Sequence, residues 1–271
     1  MLKTNVSFFF IALVCLSGFA QETVDLTPHF KKGEVKKYRI RYIAKSPAQR
    51  PYQIFNSTKK DVVVKVADIR GGSIDFEWTY LNVVFTDSVP QFNPVMDLMN
   101  TLPQGLTVKY STDNRGVIKS VTNYKEITAA VKQRVDSMIS RMSKDKSIKP
   151  SFIESTKFQF EMMFSTEEQI NQIVIGDVFK FHELYGHSFK TKSKLLISAT
   201  DPASDKYETQ LVSIKNSLCQ FEGVLTDNKR KGYKTYEFQT PSYWMSKHVY
   251  KLDSRDPMSV SQTYEIKLSS N

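Results

Sequence analysis

The chain has 271 residues, 40% hydrophobic and 24% charged, the composition of an ordinary globular protein with room for a sizeable core. Lysine and arginine number 38 against 28 aspartates and glutamates, a formal charge of +10 that suits anionic head groups or acidic glycans as partners. After the first residues no run of about 20 apolar side chains exists, so an integral helical membrane protein is not expected.

Residues 1–20 carry one basic residue, Lys3, and then the apolar run Phe8-Phe9-Phe10-Ile11-Ala12-Leu13-Val14-Cys15-Leu16. Small residues come next at Gly18 and Ala20. This is the pattern of a secretory signal cleaved near Ala20, and it predicts a secreted or periplasmic protein whose domain runs over residues 21–271. Nucleic acid is not an expected partner there. Without Lys3 the balance is 37 cationic against 28 acidic side chains, or +9. Cys15 leaves with the signal, so Cys219 has no partner for an intrachain disulfide and reads as a small buried side chain in a strand. Acylation of Cys15 is disfavoured, because Val14 stands where a lipoprotein signal carries a small residue.

Residues 35–44 alternate, with Tyr38, Ile40 and Tyr42 on one face and Lys37, Arg39 and Arg41 on the other, the mark of a half-buried strand. Pro47 and Pro51 break it. A strand of β-branched residues over 61–68, a turn at Gly71-Gly72 and a long strand over 73–86 come after it. Residues 88–105 hold three prolines together with Phe92, Val95, Met96, Leu98, Met99 and Leu102. They read as an irregular apolar loop with one helical turn opening at Pro94. Residues 106–111 and 116–121 form a hairpin.

Ile127, Ala130, Val131, Val135, Met138, Ile139 and Met142 recur at three- and four-residue spacings and predict an amphipathic helix over 123–142. A second helical stretch carries Phe152, Ile153, Phe160, Met163 and Phe164. Ser165 with Glu168 makes a capping-box pattern for a third, closing a helical insertion over about 123–173. Strands are expected again over 178–184, 188–199, 207–214, 218–225, 234–239, 243–252 and 259–268. Strands, then helices, then strands predict one α+β domain, mainly antiparallel β. Its sheet is a curved sheet or half-barrel wrapping a central helical insertion. A faint repeat relates Gly33-Glu34-Val35 and its succeeding strands to Gly176-Asp177-Val178 and the strands over 188–214, as two related meanders would.

Signals for chemistry are weak. His182 and His187 are five residues apart, whereas paired zinc ligands on a helix are four apart and share a face. His29 and His248 are scattered. No nucleophile elbow, Gly-rich phosphate loop or metal-ligand spacing appears, so neither catalysis, a cofactor nor a metal is expected. Two features point to binding. An apolar loop of this length is unusual, and its Phe92, Val95, Met96, Met99 and Leu102, with Trp244 from a late strand, are candidate contacts for a hydrophobic ligand beneath a lid. Lys37, Arg39 and Arg41 in one strand, and Lys190, Lys192 and Lys194 in another, put positive charge on single sheet faces.

The segment Phe30-Lys31-Lys32-Gly33-Glu34 before an alternating Tyr strand resembles a group of uncharacterised secreted proteins of Bacteroidota. So does Asp113-Asn114-Arg115-Gly116-Val117-Ile118 with Val121-Thr122-Asn123 and a helix after it. That resemblance brings no activity and no site residues. In architecture the order is similar to the half-barrel lipoprotein carriers of bacterial periplasms, which implies an apolar groove inside a wrapped sheet. The expectation is an exported, non-enzymatic binding protein for a lipid or other hydrophobic ligand. The alternative is a structural or interaction module of the cell envelope that holds a protein or acidic glycan on its basic rows.

Overall fold

The computed structural model describes residues 23–46, 53–87, 94–170, 174–198, 205–227, 230–254 and 260–269; the expected signal segment lies outside them. The N-terminal half contributes β1 (Thr23–Asp25), β2 (Val35–Ser46), β3 (Gln53–Arg70), β4 (Ser73–Asp87), α1 (Pro94–Thr101), β5 (Thr107–Asp113) and β6 (Ile118–Val121). Next come helices α2 (Tyr124–Lys144), α3 (Pro150–Met163), α4 (Glu167–Ile170) and α5 (Gly176–His182). The remaining strands are β7 (Ser188–Lys190), β8 (Lys194–Ser198), β9 (Lys206–Lys215), β10 (Leu218–Leu225), β11 (Arg230–Gln239), β12 (Trp244–Ser254) and β13 (Ser261–Leu268).

Alternation of side chains across each strand builds one large sheet with a buried and a solvated face. Its order in space is β6-β5-β4-β3-β2-β13-β12-β11-β10-β9-β8, and every neighbouring pair is antiparallel. Two meanders, β2 to β6 and β8 to β13, meet where the last strand lies beside β2 with Ile266 opposite Ile40 and Tyr264 opposite Tyr42. The sheet ends at β6 and β8 and stays open. Register shifts at Ala44/Lys45, Asp61/Val62, Ser111/Thr112, Gln220/Phe221 and Glu237/Phe238 insert bulges, each of which adds twist and bends the sheet. A separate ribbon pairs β1 with β7.

The concave face is aromatic: Tyr38, Phe76, Trp78, Tyr80, Tyr110, Tyr236, Phe238 and Tyr264 are all buried there. Lying against it is α5, whose Phe181 ring is 5.3 Å from Tyr38, 5.5 Å from Trp78 and 6.3 Å from Trp244. The curved antiparallel sheet expected from the patterning is therefore present with the helical insertion packed on it, and α5, just beyond that insertion, joins it on the aromatic face. Residues 178–184, expected to be a strand, form most of α5. Helix α2 reaches the main core through buried Ile127 and Val131 with Tyr124 and Ala130 packed beside them, while its Met138 and Met142 pack with Phe160 of α3 in a separate cluster. The strand expected over 188–199 is two strands, β7 and β8, separated by a turn in which Lys192 has φ 65°. The faint repeat fails at its first element, because Val35 opens a strand and Val178 lies in a helix.

Candidate functional site

Helix α5 has two stripes. Val178, Phe181 and His182, with Tyr185 just beyond, face the aromatic core, whereas Asp177, Lys180 and Glu183 recur at three-residue steps along a second line. Read as a strand, the same residues scatter over both faces. Read as a helix, they present an alternating row of charge to the strands that flank it.

Each acid of that row is fully engaged. Asp177 accepts from Lys60 Nζ of β3 at 2.7 Å and from Tyr264 Oη of β13 at 2.9 Å; the one hydroxyl proton of Tyr80 on β4 is shared between the Val174 carbonyl at 2.9 Å and Asp177 at 3.2 Å. Burial works to raise the Asp177 carboxyl, but the Lys60 and Lys180 ammoniums and these hydrogen bonds outweigh it and hold it below the ordinary aspartate range. Glu183 accepts from Lys234 Nζ at 2.5 Å and from Tyr236 Oη at 2.8 Å, both on β11. The Lys234 ammonium also lies 4.1 Å from the Tyr207 ring centroid. Burial and the adjacent carboxylates push the phenols of Tyr80, Tyr236 and Tyr264 well above their ordinary value, so all three stay protonated as donors.

Beside this network is a cavity of about 590 Å³. Its apolar walls come from Val117 and Ile118 at the start of β6, Phe179 of α5, Tyr185, Tyr207 of β9 and Tyr250 of β12; Arg115, Lys180, Glu183, Asp205, Lys234 and His248 are on its polar side. A depression of about 700 Å³ along α2 is lined by the solvent face of that one helix and lacks an opposing wall.

Two glycines hold the β5–β6 turn against the end of α5. Gly116 has φ 84°, and a Cβ there would lie 2.9 Å from Tyr185 Cβ. Gly186 has φ 81°, and a Cβ there would meet a Val117 methyl at 2.5 Å. This close approach lets the Gly116 carbonyl accept from His182 Nδ1 at 2.8 Å. A carbonyl only accepts, so the proton is on Nδ1, and Nε2 receives the Tyr110 hydroxyl at 2.9 Å. Burial lowers the His182 pKa to about 4, against the pull of the Gly116 bond. His182 is therefore a neutral, fully satisfied structural histidine. Together with the break at Gly186, this disposes of a paired-histidine metal site, and no cluster of three metal-ligating side chains occurs among the described residues.

His248 of β12 differs. Its ring stacks on Tyr236 with centroids 4.4 Å apart, and neither ring nitrogen has a hydrogen-bond partner. Burial, and then the Lys234 and Lys180 charges, push its pKa well below the ordinary histidine value.

No protein-family model matches the chain, and no curated protein matches it. A solved structure of lipid–protein interactions in lipovitellin superimposes with a TM-score of 0.44 and 7% identity, over 89% of this chain and 26% of that one. This chain thus spans about a quarter of that one's length. A likeness of that degree does not bear on the site.

The residues singled out for a lid fall away from the cavity. Phe92 lies outside the described residues, and of Val95 and Met96 only the helical backbone of α1 is described. Met99 packs on the α2–α3 cluster and borders a smaller space of about 180 Å³ near Lys180 and Tyr264. Leu102 and Trp244 are fully buried in the main core, where the Trp244 ring is 4.3 Å from Phe30. Lys37, Arg39 and Arg41 are exposed along β2, with Arg39 paired to Asp61 at 2.8 Å. Lys190, Lys192 and Lys194 do not form one row: they lie on β7, in the turn and on β8, and Lys194 pairs with Glu208 at 2.8 Å. Pattern reading missed Lys60, Asp177, Lys180 and Lys234. The one sequence signal is the three-residue charge spacing on α5, which marks Asp177 and Lys180 only once that segment is taken as a helix.

Among the described residues no helix is long and apolar enough to cross a membrane.

Proposed function

We propose that the protein is an exported, non-enzymatic binding protein for a lipid or other hydrophobic molecule, held in the cavity beside α5. The observation that carries this reading is the cavity itself. At about 590 Å³ it falls within the roughly 300–1,000 Å³ of small-molecule sites, and it has apolar walls and a few convergent polar groups. Of those polar groups Glu183 and Lys234 are fixed in advance by their ion pair and the Tyr236 hydrogen bond, so a ligand would meet a partly ordered site. Export rests on the N-terminal pattern of Lys3, the Phe8–Leu16 run and Ala20.

Titration of the purified protein with the neutral fluorophore N-phenyl-1-naphthylamine tests it. The expected result is saturable enhancement at one fluorophore per chain, abolished by Ile118→Trp, which fills the cavity from its wall. Enhancement that never saturates, or that Ile118→Trp leaves intact, would overturn the reading.

A further inference from the structure

We propose that the cavity recognises its ligand by a carboxylate head group, with Lys180 as the counter-ion and His248 as the hydrogen-bond partner. This deepens the binding reading above and depends on it.

The charges lining the cavity do not cancel. Glu183 is occupied by Lys234 and Tyr236, and Asp205 is occupied by Arg230 at 2.5 Å. Asp177, behind Lys180 on the helix, is held by Lys60 and the Tyr264 phenol, with the Tyr80 hydroxyl shared between it and the Val174 carbonyl. Among the described residues no carboxylate comes within ion-pair distance of the Lys180 ammonium, which instead lies 4.0 Å from the Tyr264 ring centroid. Lys180 is open to solvent, yet protein surrounds it and desolvation lowers its pKa. Both hold for a side chain that stands inside a hollow rather than on the outer surface. A ring face compensates such a cation only in part, and an anion would complete it.

His248 borders the same cavity and also flanks Tyr264, with ring centroids 6.0 Å apart. Its two bare nitrogens contrast with the two satisfied nitrogens of His182, which lines the same cavity. A buried donor and acceptor without partners call for an explanation. A neutral imidazole offers one N–H, and a carboxylate has two oxygens, one for that N–H and one for the ammonium. Lys180 and Arg115 both line the cavity, and among the described residues neither is in an ion pair. Of the two, Lys180 shares its surroundings with His248, so that pair can hold one carboxylate while the apolar walls fit the chain attached to it.

Displacement of N-phenyl-1-naphthylamine by dodecanoate and by dodecan-1-ol separates the head group from the tail. The wild type is expected to prefer dodecanoate by about ten- to a hundredfold, the worth of a charge-assisted hydrogen bond. Lys180→Met and Lys180→Gln should each abolish that preference while leaving the affinity for dodecanol and fluorophore in place. His248→Phe, which keeps the stack on Tyr236, should weaken dodecanoate alone. Equal binding of acid and alcohol by the wild type, or a preference that survives both Lys180 variants, would overturn the head-group assignment. Tighter binding of dodecyl phosphate than of dodecanoate would overturn the choice of carboxylate. Failure of the fluorophore itself to bind strikes the broader reading instead.

Discussion

His182 and His248 both line the cavity, and both stay neutral in the folded protein, which ties stability to pH. An unfolded histidine titrates near 6.5, whereas folded His182 titrates at about 4 and His248 well below its ordinary value. Well above pH 6.5 the rings are neutral in both states and contribute no pH dependence. As pH falls below about 6.5, the unfolded chain takes up protons that the folded chain refuses, so stability declines. For His182 the decline levels off below about 4 and amounts to about 3 kcal/mol. Asp177, with its depressed pKa, contributes stability above the unfolded aspartate value that is lost as pH falls through its folded one. Scanning calorimetry should therefore show Tm dropping steadily from pH 7 to pH 4, with a shallower slope in His182→Gln. A flat wild-type profile would contradict the burial of these rings. That two histidines lining one cavity behave alike in charge and differently in bonding was not legible from their positions. The difference lies in a carbonyl supplied by Gly116, 66 residues away.

Among the elements, α3 carries apolar side chains on opposite sides. Phe160 is 1% exposed between Met138 and Met142, whereas Phe158 is 64% exposed. Urea unfolding should register this: Phe160→Ala costs about 3 kcal/mol through the space it leaves, and Phe158→Ala stays within about 0.5 kcal/mol. Similar losses for both would mean that α3 packs in another orientation. Helix α2 was readable because seven apolar residues keep one stripe over 21 residues, long enough for the period to decide. In the same way Pro94 marked the start of α1, and alternation marked β2 and β9 to β13. Helix α5 was not readable. It has seven residues, and Val178, Phe179 and Phe181 fit a buried strand as well as a helix. Only the surrounding strands, through rings such as Tyr38, Trp78 and Trp244 around Phe181, select the helical form. With that element misread, the polar site stayed hidden, since Lys60 and Asp177 are 117 residues apart in sequence.

At the level of the whole molecule, the seam between β2 and β13 makes the two meanders one sheet, with the first and last long strands at its centre. Opening the seam exposes the main core, so it opens only with global unfolding. Native-state hydrogen exchange should place the Ile40 and Ile266 amides among the slowest, and amides of β6 and β8 well below them. Equal protection of seam and margin would show that the halves unfold independently. The eleven-stranded sheet is also bounded by its short members: β6 has four residues and β8 has five, against eighteen in β3. A neighbouring chain that tried to extend the sheet would find only a few backbone groups to pair with at either margin, and Lys194 stands at the start of one of them. Sideways growth of the sheet by strand addition is thus limited by the shortness of both margins among the described residues.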